Sequence, residues 1–351
     1  MTILGIESSC DETAAALVKD GREVLSSVVY TQISMHRPYG GVVPEIASRA
    51  HVEKISGVVR EALVAPVDAV AVTYGPGLAS SLLVGLAAAK GFALARGVPL
   101  FGVNHIEAHL HAPFLVDAKS AEEGVVAPPP EDCMPALGLA VSGGHTTWID
   151  MPEYGRYRVV GQTLDDAAGE AFDKAAKLLG LGYPGGPVVD KMSREYGGSD
   201  FIPFPQGRPR EGVARLAGLD AELCISFSGL KTSLLRYSQK NDCSGDVPRI
   251  CASYQRAVVE AIADRTRAAL RRNRYSSLVV GGGVSLNASL RAKLSQVAAE
   301  AGVRLLLSPP RYCGDNAAMI AGLAFWRRNL AGDAALAADV NPTLEAGEGD
   351  V

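Results

Sequence analysis

A chain of 351 residues, 48% hydrophobic and 21% charged, has the composition of a globular protein and the length for two lobes with separate cores. Its net charge of −4 excludes a global basic field for nucleic acid, so any RNA contact must be local. Six scattered cysteines without a C-x-x-C pair and no apolar run of bilayer length argue against a disulfide scaffold and a membrane protein, and with a strand-like run starting at residue 2 the expectation is a cytoplasmic address with no leader peptide.

In chain order, "ILGIESSCDETAAALV" (3–18) reads as strand, tight polar turn, strand. "VDAVAVTYGPGLASSLLVGLAAAKGFAL" then runs from a buried strand through glycines into a helix. After the apolar run "VPLFGV", Asn104 and Glu107 take the N-cap and N3 places of a capping box at the head of "HIEAHLH". His105 and His109 stand four apart on one helical face and can share a cation through their imidazoles. Glu107 lies about 200° around the helix from His105, which disfavours the H-E-x-x-H geometry of a zinc protease. His111 is off the shared face, with a structural or supporting role.

"DAKSAEEGVVAPPPEDC" (117–133), with three consecutive prolines, reads as an exposed linker. Beyond it, "ALGLAVSGGHTTWI" (136–149) repeats the strand-turn-strand design, and "SSLVVGGGVSLNASLRAKL" repeats the strand-glycine-helix design. In "SGGHTT" two glycines without Cβ let backbone N–H groups approach an anion, although a plain hairpin turn has the same look. His145 either orients a substrate or satisfies that turn. Within "DDAAGEAFDKAAKLLGLGYPGGPVVDK" (165–191), Asp173, Gly186 and Asp190 are spaced to converge on one polar ligand, two carboxylates suiting ribose hydroxyls; solvated helix acids are the alternative. "GGGVSLN" (281–287) offers bare backbone to a planar base or ribose, with Asn287 in reach of the nucleoside. Asp315, in "RYCGDNAAMIAGLAFW", is either a helix N-cap, which the sequence favours, or the oxygen ligand that two histidines still need. "RTRAALRRNRYSS" gathers Arg265, Arg267, Arg271, Arg272 and Arg274 as either a local RNA contact or a solvated face, and Lys231 stands in "FSGLKT".

The duplicated design fits an α/β chain with the actin-like architecture (ASKHA, ribonuclease H-like), two lobes whose hairpin turns face an interlobe cleft; strand-then-helix units joined through glycines also fit an ordinary doubly wound fold. The expected boundaries are 1–116 for the first lobe, 117–133 for the linker and 134–330 for the second lobe. That second lobe carries a helical insertion at about 163–240, and its final helix is free to pack on the first; 331–351, poor in bulky residues, is a flexible tail.

Taken together, "GIESSCDETAAALV", "YGGVVPEIASRAHVEKI", "HIEAH", "VSGGHT", "DDAAGEAFDKAAKLLGLGYPGGP", "FSGLKT" and "CGDNAAMIA" resemble the bacterial tRNA N6-adenosine threonylcarbamoyltransferases, the TsaD family, over residues 2–330. The resemblance implies one divalent metal, Fe²⁺ by family habit with Zn²⁺ also compatible, on His105, His109 and Asp315. It implies that L-threonylcarbamoyl-adenylate lies against Ala140, Val141, Ser142, Gly143, Gly144 and His145, with Asp173, Gly186, Asp190 and Asn287. The threonylcarbamoyl group would pass to the N6 amine of the adenosine 3′ of the anticodon, in tRNAs reading codons that begin with A, with release of AMP. Asp11 and Glu12 are candidates to orient or deprotonate that amine. The expected partners are tRNA, a smaller actin-like paralogue and a P-loop ATPase, with no membrane. Gly314 stands where the family more often has Thr. The rival readings are an actin-like ATPase or kinase, a metalloprotease and a catalytically silent scaffold subunit; Glu7, Ser8 and Ser9 occupy the place of the kinases' D-x-G-T turn and argue against the first, and the retained histidine pair argues against the last.

Overall fold

The computed structural model describes residues 1–124, 127–209, 218–327 and 331–348. The chain forms two compact units: Met1–Cys133, Glu153–Tyr157 and Ser308–Val351 make the first, Met134–Pro152 and Arg158–Leu307 the second.

The first unit is built on a five-stranded sheet of order β3-β2-β1-β4-β5. Its strands are β1 (Thr2–Glu7), β2 (Glu12–Lys19), β3 (Glu23–Thr31), β4 (Ala69–Gly75) and β5 (Leu100–Asn104). β1 pairs antiparallel with β2 and parallel with β4, β2 pairs antiparallel with β3, and β4 pairs parallel with β5. The apolar run of β1 suits a central strand covered on both faces, whereas β3 alternates in burial like an edge strand. Leu4 and Ile6 pack with Ile55, Val58, Leu86 and Ala89 of helices Pro44–Ala62 and Ala79–Arg96. Gly5 points to the opposite face, where a Cβ would fall 2.2 Å from the Ala317 carbonyl oxygen; the missing side chain admits helix Ala317–Trp326. Helix Ala79–Arg96, of 18 residues, has the length and apolar content of a membrane span, features that the core helix of a globular protein shares. Its buried residues, among them Leu82, Leu86, Ala89 and Ala93, recur at helical spacing as in a helix seated on a sheet.

The second unit repeats this plan with β6 (Ala136–Val141), β7 (Thr146–Met151), β8 (Arg158–Gln162), β9 (Ser277–Gly281) and β10 (Arg304–Leu307), in the order β10-β9-β6-β7-β8. β6 pairs antiparallel with β7 and parallel with β9, β7 antiparallel with β8, and β9 parallel with β10. Every strand thus has a counterpart with the same neighbours and directions, as the two repeated sequence designs require. Where β3 is followed only by Ile33–His36 and a turn before the next long helix, β8 is followed by Ala168–Leu178, Gly185–Glu195 and Ser228–Lys240 before Val247–Leu270.

The boundaries differ from expectation at several places, Glu153–Tyr157 among them, numbered with the second lobe but part of the first unit. Residues 308–327, numbered with the second lobe but with their final helix free to pack on the first, belong to the first unit, because helix Ala317–Trp326 buries its apolar surface on β1. The segment 117–133 is also part of that unit: Asp117 accepts two hydrogen bonds from Arg311, at 2.5 and 2.7 Å, and one from Tyr312 at 2.6 Å. The described part of the tail, residues 331–348, is not a flexible end. Gly332 N donates to Leu100 O at 2.9 Å, Asn341 N donates to Tyr74 O at 2.7 Å, and Leu344 is buried. Main-chain hydrogen bonds hold a segment whose small side chains alone promised little adhesion.

Candidate functional site

β5 runs directly into helix His105–His111, and the junction is set by Asn104, whose Oδ1 accepts from Ile106 N at 2.9 Å and Glu107 N at 3.3 Å. Starting the helix there stacks His105 and His109 on one buried face, ring centroids 4.7 Å apart. Asp315 approaches from the loop before helix Ala317–Trp326, its Oδ1 lying 3.5 Å from His105 Nε2 and 3.2 Å from His109 Nε2. The N-cap of that helix is the next residue, Asn316, which accepts from Met319 N at 3.0 Å and leaves Asp315 available as a ligand. The cap reading of Asp315 is therefore corrected by one position. Gly314 beside it has open space for 4 Å around the point where a Cβ would stand, so the family's threonine would fit.

One ligand atom from each of His105, His109 and Asp315 lies within 4.8 Å of the others, a grouping within the first unit. Both ring nitrogens of His109 are buried without a hydrogen-bond partner, and its 3.2 Å approach to Asp315 lacks hydrogen-bond geometry. A buried imidazole left so costs free energy unless something else meets it. Two imidazoles and a carboxylate converging on one point fit a divalent transition metal. The electrostatics agree. Burial opposes a charge on His105, yet Asp315 and Glu7 outweigh it and raise its pKa well above the ordinary value. Burial also opposes the Asp315 carboxylate, and the histidines outweigh it, His105 first, so its pKa falls well below the usual range. This is a place that strongly prefers positive charge.

Glu7 is the residue that the sequence reading did not place in the site. It is 0% exposed at the end of β1, with His105 Nδ1 at 2.9 Å and Thr73 Oγ1 at 2.6 Å on one carboxylate oxygen, and Ser9 N on the other. The signal was an acid ending a wholly apolar strand, at the turn set against the kinase pattern. Asp11 and Glu12 follow in the same turn. Burial, then Asp11 and Asp315, push the Glu12 carboxyl well above its usual range, which ties this pair electrically to the Asp315 site.

Two neighbours have structural roles. Glu107 accepts from Arg327 and from Gly347 N at 2.9 Å, so both oxygens are engaged. His111 lies 2.7 Å from Gly21 O through Nε2 and also contacts Tyr154 Oη; burial lowers its pKa to about 4.

In the second unit the β6–β7 turn is closed by Ser142 N donating to His145 O at 2.8 Å. Gly143 and Gly144 are exposed, and nothing lies within 4 Å of where a Cβ would stand on either. Their carbonyl side is anchored: Gly169 N donates to Ser142 O and Glu170 N to Gly143 O, each at 3.2 Å. Ala140 and Val141 are fully buried at the end of β6, backbone included. Gly282, at φ +100°, has its Cβ position 2.3 Å from Val141 O, so the "GGGVSLN" turn closes against the end of β6.

The carboxylates of this unit divide. Asp173 Oδ1 accepts from Gly185 N at 2.6 Å and so anchors the start of helix Gly185–Glu195, whose Gly186 is open. Asp190 is 6% exposed, with one oxygen paired to Arg194 and Oδ1 buried without a partner, an acceptor that suits a ligand hydroxyl. Asn287 caps helix Ala288–Ala301 through Leu290 N at 2.9 Å and donates to Gln255 Oε1 at 2.6 Å, so much of its amide is already used. Gln255, on helix Val247–Leu270, escaped the sequence reading.

The arginine cluster mostly dissolves. Arg265 is buried and donates to the carbonyls of Cys224 and Gly207, Arg267 pairs with Glu300 and Asp264, and Arg272 pairs with Asp220 and Glu222. Arg271, Arg274 and Lys231 are exposed.

The sequence profile of the family described as tRNA N6-adenosine threonylcarbamoyltransferase (TsaD) matches residues 23–322. The protein of that name from Geotalea uraniireducens is 50% identical over 330 residues, covering 92% of this chain and 90% of its own. Its namesake from Clostridium botulinum is 45% identical over 357 residues, covering 99% and 98%. Among solved structures, component A of the Acidaminococcus fermentans (R)-2-hydroxyglutaryl-CoA dehydratase aligns over 93% of this chain and 98% of its own, with a TM-score of 0.50 and 15% identity. That likeness concerns the fold, which is the actin-like one.

Proposed function

Since the chain belongs to the tRNA N6-adenosine threonylcarbamoyltransferase family, we propose that it moves the threonylcarbamoyl group from L-threonylcarbamoyl-adenylate to the N6 amine of the adenosine 3′ of the anticodon. The tRNAs are those reading codons that begin with A. The amine nitrogen attacks the carbamoyl carbon, the bond from that carbon to the phosphate oxygen breaks, AMP leaves, and one proton departs from N6.

The observation that carries this reading is the convergence of His105, His109 and Asp315 in a chain so similar to enzymes of that name. A divalent metal there, iron or zinc, would supply electrophilic stabilisation to an anhydride and its departing phosphate. The chain's own groups account for the rest. The exposed backbone of Gly143 and Gly144 suits N–H contacts to an acyl-phosphate, with Ser142 and His145 closing the turn behind it. Asp190 Oδ1 is a ready acceptor for a ribose hydroxyl. Asp173 acts by anchoring the start of helix Gly185–Glu195, where the open space at Gly186 suits the nucleoside, and Asn287 contributes its remaining amide hydrogen. Asp11 and Glu12 are the acids to orient the amine and take its proton.

No serine or cysteine nucleophile is called for. Glu107, held by Arg327 and Gly347, is not free to act as a protease base. Lys231, exposed at the start of its helix, is assigned to tRNA. A smaller actin-like paralogue and a P-loop ATPase complete the proposal, on resemblance alone.

The test is transfer of labelled threonine from threonylcarbamoyl-adenylate to tRNA by the chain with its partner proteins. Label in the anticodon-loop adenosine, lost with His109→Ala, is the expected result; ATP-dependent phosphorylation of a small molecule without label in tRNA would overturn the reading.

A further inference from the structure

Three donors converge on the buried carboxylate of Glu7: the Ser9 backbone N–H, the Thr73 hydroxyl at 2.6 Å and the Nδ1 side of His105 at 2.9 Å. A neutral imidazole presenting its Nδ1 lone pair at that distance would face a carboxylate lone pair, which is repulsive. The contact requires a proton on Nδ1. In the neutral, ligating form of His105 a proton on Nδ1 leaves the lone pair on Nε2, the atom 3.5 Å from Asp315 Oδ1.

We propose that Glu7 is a positioning residue for the metal site: it fixes His105 as the Nδ1–H tautomer, turns the ring so that Nε2 is the ligand atom, and balances charge. It acts through His105 and is not itself a ligand. Ring rotation is further limited by Ser9 Oγ, 3.2 Å from the same Nδ1. Glu7 and Asp315 together carry two negative charges, which a dication neutralises, so the pocket discriminates by charge as well as by donor type. Carboxylates that hold a ligating imidazole in this way typically raise metal affinity about 10- to 100-fold. His109 has no such tether: neither of its ring nitrogens has a hydrogen-bond partner, so the two histidines are held by different means.

The inference rests on the reading of His105, His109 and Asp315 as metal ligands, and the experiment separates the two. Zinc is titrated into the full chain against a chromophoric chelator, for wild type, His109→Ala and Glu7→Gln. Glu7→Gln keeps the side chain's shape, but one amide face must meet Ser9 N–H or the His105 N–H as a second donor. The expected result is tight binding by wild type, little by His109→Ala, and binding weakened about 10- to 100-fold by Glu7→Gln. In parallel, ¹⁵N spectra of the zinc-loaded wild type, with His105 assigned through His105→Gln, should show Nδ1 protonated and Nε2 coordinated. That measurement decides the matter even if Glu7→Gln fails to fold. Equal zinc binding by wild type and His109→Ala would overturn the metal reading itself. Zinc lost in His109→Ala, together with coordination through Nδ1 or with unchanged affinity in Glu7→Gln, would overturn the role of Glu7 alone.

Discussion

The two units share strand order, strand direction and hairpin plan, yet their equivalent turns have opposite chemistry. The β1–β2 turn of the first, Glu7 to Glu12, is dense in acids and hydroxyls; the β6–β7 turn of the second, Ser142 to His145, is mostly bare backbone. The segments after the last strands differ too, β5 leading into a histidine helix and β10 into the loop that carries Asp315. Topology fixes where the loops stand, at the carboxyl ends of parallel strands. Chemistry is set by the few residues that the topology does not constrain.

If that division is right, substitutions in the first unit's turn and histidine helix should remove metal, and those in the second unit's turn should affect substrate use. The largest effect is expected at His105, His109 and Asp315: alanine at any of them should take bound metal from about one per chain to near zero and abolish transfer, as read by elemental analysis and label incorporation. A Gly144→Ala variant should keep its metal and melt normally, since its Cβ has open space, while KM for the acyl-adenylate rises roughly tenfold through the loss of close approach. Gly282→Ala sharpens the contrast within one unit. With φ +100° and a Cβ 2.3 Å from Val141 O, it should lose at least about 2 kcal/mol of stability in urea titrations. A stable Gly282→Ala would mean that the turn does not need the contact described.

Acid stability should depend on the first unit as well. His111 is held neutral by burial, with a folded pKa of about 4 against about 6.5 in the unfolded chain. As pH falls the unfolded state takes up the proton first, so this contribution is intact above about 6.5 and is lost as pH drops through 4. Between pH 7 and 4.5 wild type should lose about 2 to 3 kcal/mol more than His111→Gln in urea titrations. Equal losses would show that His111 is charged or accessible in the fold. The smallest effect is expected at Arg272, which is already paired with Asp220 and Glu222: Arg272→Glu should change the salt slope of tRNA binding by less than about 0.5. A fall of one to two units would restore the arginine helix as an RNA footprint.

Much of this was legible in the sequence, for reasons of periodicity. His105 and His109 share a face because four residues is near one helical turn, and both strand-turn-strand repeats emerged as matching hairpins. What escaped depends on pairs far apart in the chain. Glu7 reads as the end of a strand until Thr73 and His105 are folded against it, and Glu107 reads as a cap until Arg327 arrives from 220 positions away. Arg265 resembles its exposed neighbours in sequence and differs only in meeting carbonyls 41 and 58 residues distant. Asp315 and Asn316 are both good caps, and no local rule decides between adjacent candidates.

The central claim is that the first unit holds one divalent ion on His105, His109 and Asp315. X-ray absorption at the zinc edge, on the zinc-loaded chain and on His109→Ala, tests it most directly. The account predicts two imidazole nitrogens and a carboxylate oxygen at about 2.0–2.2 Å in the wild type, and loss of that zinc in the variant. Zinc kept at full stoichiometry by His109→Ala, or a wild-type coordination shell without imidazole, would contradict it.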